Sequence, residues 1–455
     1  MARLRPRSGS TFSGLLLITI GILILLHNYR GVDLAGVFRH WWPLFLIVWG
    51  LVKLYERTVG SGSGDPGTAR VSAGEVFLVL GMFVLVGLVV AADRTKEYFG
   101  DKGIHVNVGD WGDAHSFDLD AASKAVPTNA RITVRGTRGD ITVRTGDTSE
   151  IRASGTAKIH SWDESDAEKL SKKVSIEIVQ NGDGYEIHPA GAADNNSKVA
   201  VDMDIIVPRK ATVAVRSEKG SVSVSDMSTT VNITSKNGDI EVRDTAGDVS
   251  IDIERGDVTV SDTKGDVKVS GSGGEVAVTS ATGGLTLNGE FVGPIRADKV
   301  AKGVRFLSHR TDLTLTQLAG HMETGSGNVT ITDASGNLTL RTNRNDISIE
   351  NVTGKLKIEN RDGDVSVRFS TLPKEDIEIT NASAPISLSL PSNSSFEILA
   401  DCRSSNIDSE FEASTLTKTT SNSGDSHLEG KYGPSRGPKI TLKTSYGAIA
   451  ITKTS

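Results

Sequence analysis

Gly-Asp pairs recur along this chain at a spacing that could hold a cation. They stand at Gly238-Asp239, Gly247-Asp248, Gly256-Asp257, Gly265-Asp266 and Gly363-Asp364. Repeated carboxylates are what calcium-binding nonapeptides use, in the pattern Gly-Gly-x-Gly-x-Asp-x-apolar-x. Here Asp262-Thr263-Lys264-Gly265-Asp266-Val267-Lys268-Val269 carries one glycine, and a valine stands where that motif is open. Glycine followed by Asp or Asn is also ordinary turn chemistry, tolerant of positive φ. The aspartates therefore read as corners, and no metal ligand is assigned.

Other constellations fare no better. The 9 histidines are scattered. His105 and His115 lie near Asp110 and Asp113, at a spacing that fits no metal signature. His309 and His321 flank Asp312, which raises a catalytic dyad as a candidate that turn polarity also explains. Gly433-Pro434-Ser435-Arg436-Gly437 spells a nucleophile elbow, but that elbow joins a strand to a helix. Prolines flank this serine and a strand follows it, so it reads as a turn. Cys402 is the only cysteine, which excludes an intrachain disulfide and a cysteine-based zinc site. A β-helix polysaccharide lyase or hydrolase is the strongest enzymatic rival. Such enzymes gather carboxylates at unique positions, whereas these acids recur once per repeat. No catalytic or cofactor-binding residue is assigned, and the binding residues stay unknown.

The elements that would position any site follow from the same repeat. Apolar residues fall two and four places after each glycine, as in Ile240/Val242, Val249/Ile251, Val258/Val260 and Leu338/Leu340. A polar residue lies between them. Alternate side chains of a strand point to opposite faces, so the apolar pair faces in. Nine residues make one strand and one corner. A unit cannot bury its own apolar pair, so units must stack into an all-β solenoid. The period leaves open whether two or three strands complete a turn. Spacing is steady from Gly220 to Gly283, loosens through Gly293, Gly303, Thr311 and Gly320, and recovers from Gly327 to Gly363. Irregular units are where insertions and binding features sit, so 293–325 is the region to watch, against a bend or bulge in the coil.

The body extends on both sides of the repeat. Alternation begins at Ala130 and continues through Ile132, Val134, Gly139–Val143 and Ile151, placing the N-terminal part of the β body at 130–219. Asp163–Lys173 has acids first and lysines last, which predicts a short cap helix. The repeat occupies 220–370, and 371–455 supplies further rungs and a cap. Residues 96–129 read as a connector.

Composition splits the chain sharply. The first hundred residues carry 10 Lys+Arg against 6 Asp+Glu, leaving 40 against 50 in the remainder, a net of −10. An acidic body argues against nucleic acid as a partner. Three apolar runs within 1–95 predict transmembrane helices at about 12–28, 37–55 and 76–92. Leu26-His27-Asn28-Tyr29-Arg30 offers no small-x-small cleavage site, so the first run is read as retained. Gly60–Gly67 is a flexible linker, lacking the Gly-Lys-Ser/Thr of a P-loop. Arg3, Arg5, Arg7, Lys53, Arg57 and Arg70 favour a cytoplasmic N-terminus and an extracytoplasmic body; Arg30, Arg39, Arg94 and Lys96 oppose it.

Two resemblances attach to these residues. Gly14–Asn28 followed by Trp42-Pro43-Leu44-Phe45-Leu46-Ile47-Val48-Trp49-Gly50 resembles the two-helix membrane region of LiaI/LiaF-type bacterial proteins. Some of that group modulate envelope-stress signalling. Val201–Pro208, Ala211–Val224, Ile386–Pro391 and Ile440–Ile451 resemble the bacterial putative-adhesin β-solenoid family, whose members lack an assigned activity. The expectation is a multi-pass protein of the bacterial cytoplasmic membrane whose β-solenoid binds or scaffolds in the cell envelope. Its expected partners are the lipid bilayer and an envelope protein or glycan. Regulation of envelope-stress signalling is the alternative.

Overall fold

The computed structural model describes residues 113–191, 198–325 and 327–454. The chain divides into two compact units, Met1–Asn107 and Val108–Ser455, and every described residue belongs to the second. The three runs read as membrane helices lie outside the described residues. Among the described residues no helix is long and apolar enough to cross a membrane.

Strand β1 (Asp113–Ala125) occupies much of the stretch read as a connector, which corrects that reading. The signal is faint because β1 is an edge strand with no buried residue. Only Phe117 and Leu119 among its apolar side chains pack on the core, so alternation is shallow. Then come β2 (Arg131–Gly136), β3 (Ile141–Gly146) and β4 (Glu150–Ser161), the last antiparallel to β1. Helix α1 (Glu164–Ser171) follows, capped by Asp163, whose Oδ1 accepts from the Ser165 N–H at 2.8 Å. It turns Ala167 and Ser171 inward. Strands β5 (Val174–Asn181), β6 (Gly184–Gly191) and β7 (Val199–Pro208) complete the entry.

The regular coil runs through β8 (Thr212–Ser217), β9 (Val222–Ser225), β10 (Val231–Ser235), β11 (Ile240–Thr245), β12 (Val249–Ile253), β13 (Val258–Thr263), β14 (Val267–Gly273), β15 (Val276–Ala281), β16 (Leu285–Phe291), β17 (Ile295–Val300) and β18 (Val304–Leu307). Odd strands form one parallel sheet and even strands the other. Val231 lies beside Val249, Val249 beside Val267, and Val267 beside Leu285. The step is two nine-residue units, so two strands complete a turn. The Val and Ile pairs face each other across the narrow space between the sheets; Val249, Ile251, Val258 and Val260 are each 1% exposed. Burying such a side chain stabilises by roughly 1.5–3 kcal/mol.

The two corners of a turn use glycine for different reasons. Gly238, between β10 and β11, has φ 141°, the conformation glycine tolerates best. Gly265, between β13 and β14, is not left-handed; Asp262 just before it is, at φ 54°. A Cβ on Gly265 would lie 2.4 Å from the Gly247 carbonyl oxygen one turn earlier. Close backbone stacking, not positive φ, excludes a side chain there. The aspartates are corner braces. Asp239 accepts from the N–H of Asp257, and Asp248 from that of Asp266, both at 2.9 Å and both one turn on.

The loosened spacing near 293–325 is a reversed turn. Strands β19 (Thr311–Leu315) and β20 (Leu318–Thr324) run against their neighbours: β18 pairs with β19, and β17 with β20, antiparallel. The chain doubles back at Ser308–Arg310, where Ser308 Oγ accepts from the Thr311 N–H at 3.0 Å. It doubles back again before β21 (Asn328–Ala334), antiparallel to β20. Strands β22 (Leu338–Thr342), β23 (Asp346–Val352), β24 (Leu356–Asn360), β25 (Val365–Arg368), β26 (Ile377–Asn381) and β27 (Ile386–Pro391) then resume the parallel stack.

Both ends are laid out of sequence. After β28 (Phe396–Cys402), β29 (Ile407–Ser409), and the hairpin of β30 (Leu416–Thr420) and β31 (Ser426–Tyr432), the chain returns as β32 (Lys439–Thr444) and β33 (Ile449–Thr454). These insert inside the stack: β32 between β26 and β28, β33 between β27 and β29. At the other end β2 pairs with both β6 and β8, and β3 with both β7 and β9. The first sheet has 16 strands, from β1 to β29. The second runs unbranched from β5 to β30, and among the described residues no pairing joins those two edges, so it is open.

Candidate functional site

With the interior filled by apolar pairs, any site must use outward side chains, which strand pairing arranges in rows. On the first sheet the reversed turn brings together Arg296, Asp298, His321 and Glu323. Asp298 and His321 are direct partners across β17 and β20, with Nδ1 of His321 2.7 Å from Asp298 Oδ1. His321 Nε2 stands 3.6 Å from Glu323, and Arg296 bridges Glu323 at 3.5 Å and also pairs with Glu275. These charges satisfy one another.

The dyad considered for His309, His321 and Asp312 does not assemble. Asp312 pairs with Arg305, while His309 Nδ1 meets Glu290 at 2.7 Å. The Glu290 carboxyl is held below the usual range, first by the backbone N–H of His309. His115 approaches the Ser161 carbonyl at 3.3 Å; His105 and Asp110 lie outside the described residues. Ser435 sits in the loop leading into β32, its Oγ donating to Ser395 Oγ at 3.1 Å. Among the described residues no group of three His, Cys, Asp or Glu side chains could hold a metal.

A different cluster surrounds a cleft of about 600 Å³ on the second sheet near its C-terminal end. Its floor is the outer face of β26, β32, β28, β31 and β30. Pairing sets Thr380 beside Lys443, Lys443 beside Asp401, Asp401 beside His427, and His427 beside Thr419, in one row. His427 Nδ1 is 2.7 Å from Asp401 Oδ1, and its Nε2 is 3.4 Å from Glu429. The hydrogen bond with Asp401, then that with Glu429, raises the imidazole pKa against the opposing effect of burial.

The rim is fixed from beneath. Ser404 is left-handed at φ 57°, and its N–H donates to Asp425 Oδ1 at 3.1 Å. The buried Cys402 thiol donates to the Gly447 carbonyl at 2.9 Å, and burial pushes its pKa up. Asn381 Nδ2 donates to the Gly363 and Ala384 carbonyls at 2.9 and 3.0 Å. Two cations on the cleft, Arg403 and Lys443, are exposed and have no ion pair among the described residues. Neighbouring Arg341, Lys357 and Lys431 are each paired, with Glu359, with Glu359 and Glu378, and with Glu397.

Sequence reasoning did not find this cleft. Asp401 and His427 lie 26 residues apart across an irregular hairpin, and Lys443 arrives on the inserted strand, so no linear spacing links them.

Residues 261–452 match the family model described as Toastrack DUF4097, and residues 12–99 match that of the LiaF transmembrane domain. Both resemblances read from the sequence are thereby supported. The chain is thus similar to the LiaF transmembrane domain over residues 12–99 and to the Toastrack family over residues 261–452. No curated protein matches it. Among solved structures it is similar to a "putative cell adhesion protein" of Clostridium sporogenes at 9% identity, covering 74% of this chain and 99% of that one, TM-score 0.15. It is also similar to a "putative adhesin" of Bacteroides fragilis at 11% identity, covering 75% and 97%, TM-score 0.16. A "putative lipid binding protein" of Parabacteroides distasonis stands at 10% identity, covering 76% and 98%, TM-score 0.21.

Proposed function

We propose that this protein is a membrane-anchored binding or scaffolding module of the bacterial cell envelope. Its three N-terminal spans tether it to the cytoplasmic membrane. Its Toastrack body, on the extracytoplasmic side, offers its outer faces to an envelope partner. The observation that carries this reading is the division of labour along each strand. Inward residues are apolar and filled, while outward ones form rows of hydroxyl and charged groups, as Thr380, Lys443, Asp401 and His427 do. The reading involves no bond-making chemistry.

Two measurements test it. Reporters active only outside the cytoplasm, fused after Ala92 and after Ser455, should both signal; silence from both sinks an extracytoplasmic role. Purified full-length protein in nanodiscs should then sediment with isolated cell envelopes.

The LiaF transmembrane match at residues 12–99 favours a second reading, regulation of envelope-stress signalling through the membrane segment. Under it, a sensor kinase or anti-sigma factor should co-purify with the full chain, and also with residues 1–100 fused to an unrelated soluble domain. Loss of the partner on replacing the Toastrack body would favour the first reading.

A further inference from the structure

The cleft of about 600 Å³ is within the size range of small-ligand pockets, roughly 300–1,000 Å³. Its lining differs from theirs, since no Phe, Tyr or Trp lines it and most of the lining residues are polar or charged. Hydroxyls come from Thr380, Thr419 and Ser421, carboxylates from Asp401 and Asp425, and positive charge from Arg403 and Lys443, while the buried Asn381 amide is turned to backbone carbonyls. Such a lining favours a hydrated, oxygen-rich ligand over a lipid tail.

Three features narrow the class. First, Arg403 and Lys443 are uncommitted, whereas Asp401 already holds His427 at 2.7 Å. Asp425 likewise holds the Ser404 N–H and the Ser423 hydroxyl, so the charges left to meet a ligand are the two cations. Second, the cleft lies on a sheet face: β32 is paired on both sides, by β26 and β28, and β31 by β28 and β30. The free edge at this end, that of β30, lies on the side away from β31 and Lys443, so a peptide adding there as a strand would not lie over the two cations. Third, the rim is held by the Ser404–Asp425 and Cys402–Gly447 hydrogen bonds, which lowers the ordering cost of binding.

We propose that this cleft binds an acidic glycan, with Arg403 and Lys443 gripping its anionic oxygens and the Asp401–His427 pair meeting adjacent sugar hydroxyls. The guanidinium suits a planar carboxylate or a phosphate in bidentate fashion, and the ammonium serves as a point charge beside it. The assignment rests on the envelope-binding reading and names its ligand class. Carboxylate and phosphate present the same anionic oxygens, so uronate polymers and phosphate-linked polyols are the two sources to separate.

The test uses the full-length protein in nanodiscs and calorimetric titration with four probes: trigalacturonate, a glycerol phosphate oligomer, neutral maltotriose and inorganic phosphate. One acidic oligomer should bind, and the better of the two identifies the source. Maltotriose should not bind, and inorganic phosphate should bind at least tenfold more weakly. Each of Arg403→Gln and Lys443→Gln should weaken the acidic oligomer by about tenfold, the loss of one charge-assisted hydrogen bond. Lys418→Gln, an exposed lysine on the same hairpin but off the cleft, should leave binding unchanged. The proposal is overturned if neither oligomer binds, if maltotriose binds equally, if inorganic phosphate alone binds as tightly, or if both cleft variants bind like the parent. Wild-type protein that still sediments with envelopes while ignoring both oligomers would remove the cleft and keep the envelope reading. Failure in both assays removes both.

Discussion

Asp257 accepts a hydrogen bond from the backbone N–H of Glu275, one full turn further along the coil, at 2.7 Å. The same contact recurs from Asp266 to Gly284 and from Asp346 to Asp364, each at 2.9 Å. A carboxyl oxygen at the corner thus satisfies an amide that parallel strand pairing leaves over. The donation from Gly284 is the leading reason that the Asp266 carboxyl titrates below its usual range.

A bracing role and a cation-binding role give opposite outcomes at Asp257. Asp257→Asn keeps an oxygen acceptor and should be close to neutral. Asp257→Ala leaves the Glu275 amide without its partner and should cost about 0.5–1.5 kcal/mol. Chemical denaturation, with hydrogen exchange at Glu275 as the local readout, checks this. Calcium at millimolar concentration should shift neither; stabilisation by calcium that disappears in Asp257→Asn would restore the chelating role.

The glycine at the other corner can be tested against the φ argument. Because Gly265 is excluded by the Gly247 carbonyl and not by its own dihedral, Gly265→Ala should destabilise by about 1–3 kcal/mol, as overpacking does. At Gly182, which has φ 58° and open space beyond it, D-alanine should be tolerated better than L-alanine. Full tolerance of alanine at Gly265 would show that the turns can move apart.

Much of this architecture is written in the sequence, because the nine-residue period states which side chains face inward. Ile240, Val242, Val249 and Ile251 are buried as their alternation requires. What the period cannot state is direction. Leu313 and Leu315 alternate like any other pair, and nothing local shows that β19 runs backwards. Only the lost corner spacing marks the place. The cleft is hidden for a related reason: Thr380, Lys443, Asp401 and His427 become a row only after β32 inserts between β26 and β28. Long-range insertion leaves no periodic trace.

The reversed turn should be a weak point with a local signature. Met322 is fully buried on β20, between Ala297 of β17 and Ile331 of β21. Met322→Ala should cost about 2–5 kcal/mol. Each turn contacts only its neighbours, so the loss should appear as faster hydrogen exchange across 295–334 while 222–263 stays protected. Uniform loss of protection along the coil would show that it unfolds as one unit.

His427 gives the cleft a pH dependence whose sign follows from its partners. Its folded pKa is raised by Asp401 first and Glu429 next. A raised value means that the fold prefers the imidazolium. The contribution is complete below the ordinary histidine value of about 6.5 and fades as pH climbs through the higher folded one. His427→Gln should therefore lower the Tm more at about pH 5.5 than at about pH 8.5. Glu359, held low first by Arg341 and then by Lys357, works in the opposite direction. Its contribution is present above the ordinary carboxylate range and fades as pH falls, so Glu359→Gln should matter least in acid. Melting curves of the two variants across pH should diverge in these directions; parallel curves would remove both assignments.

The inserted strands at the C-terminal end act as a clasp, and truncation tests that role. Residues 439–454 supply β32 and β33, and through them β28 and β29 are joined to the coil. Ile440 and Ile449 are fully buried in that layer. Without it, β28 has only the β30–β31 hairpin as a partner, and β29 has none among the described strands. Ending the chain after Pro438 should thus release everything beyond β27, not only the deleted residues. Limited proteolysis should cut the truncated protein between Ser392 and Pro438, where the full chain resists, while fragments ending near Pro391 stay folded. If 396–432 remains protected after truncation, β28 must pair directly with β26 once the layer is gone, and the clasp would be dispensable. Preservation is disfavoured because Thr380 and Asp401 both stand in register with Lys443 of β32 in the intact stack, and closing that gap moves a whole layer by about 4.8 Å.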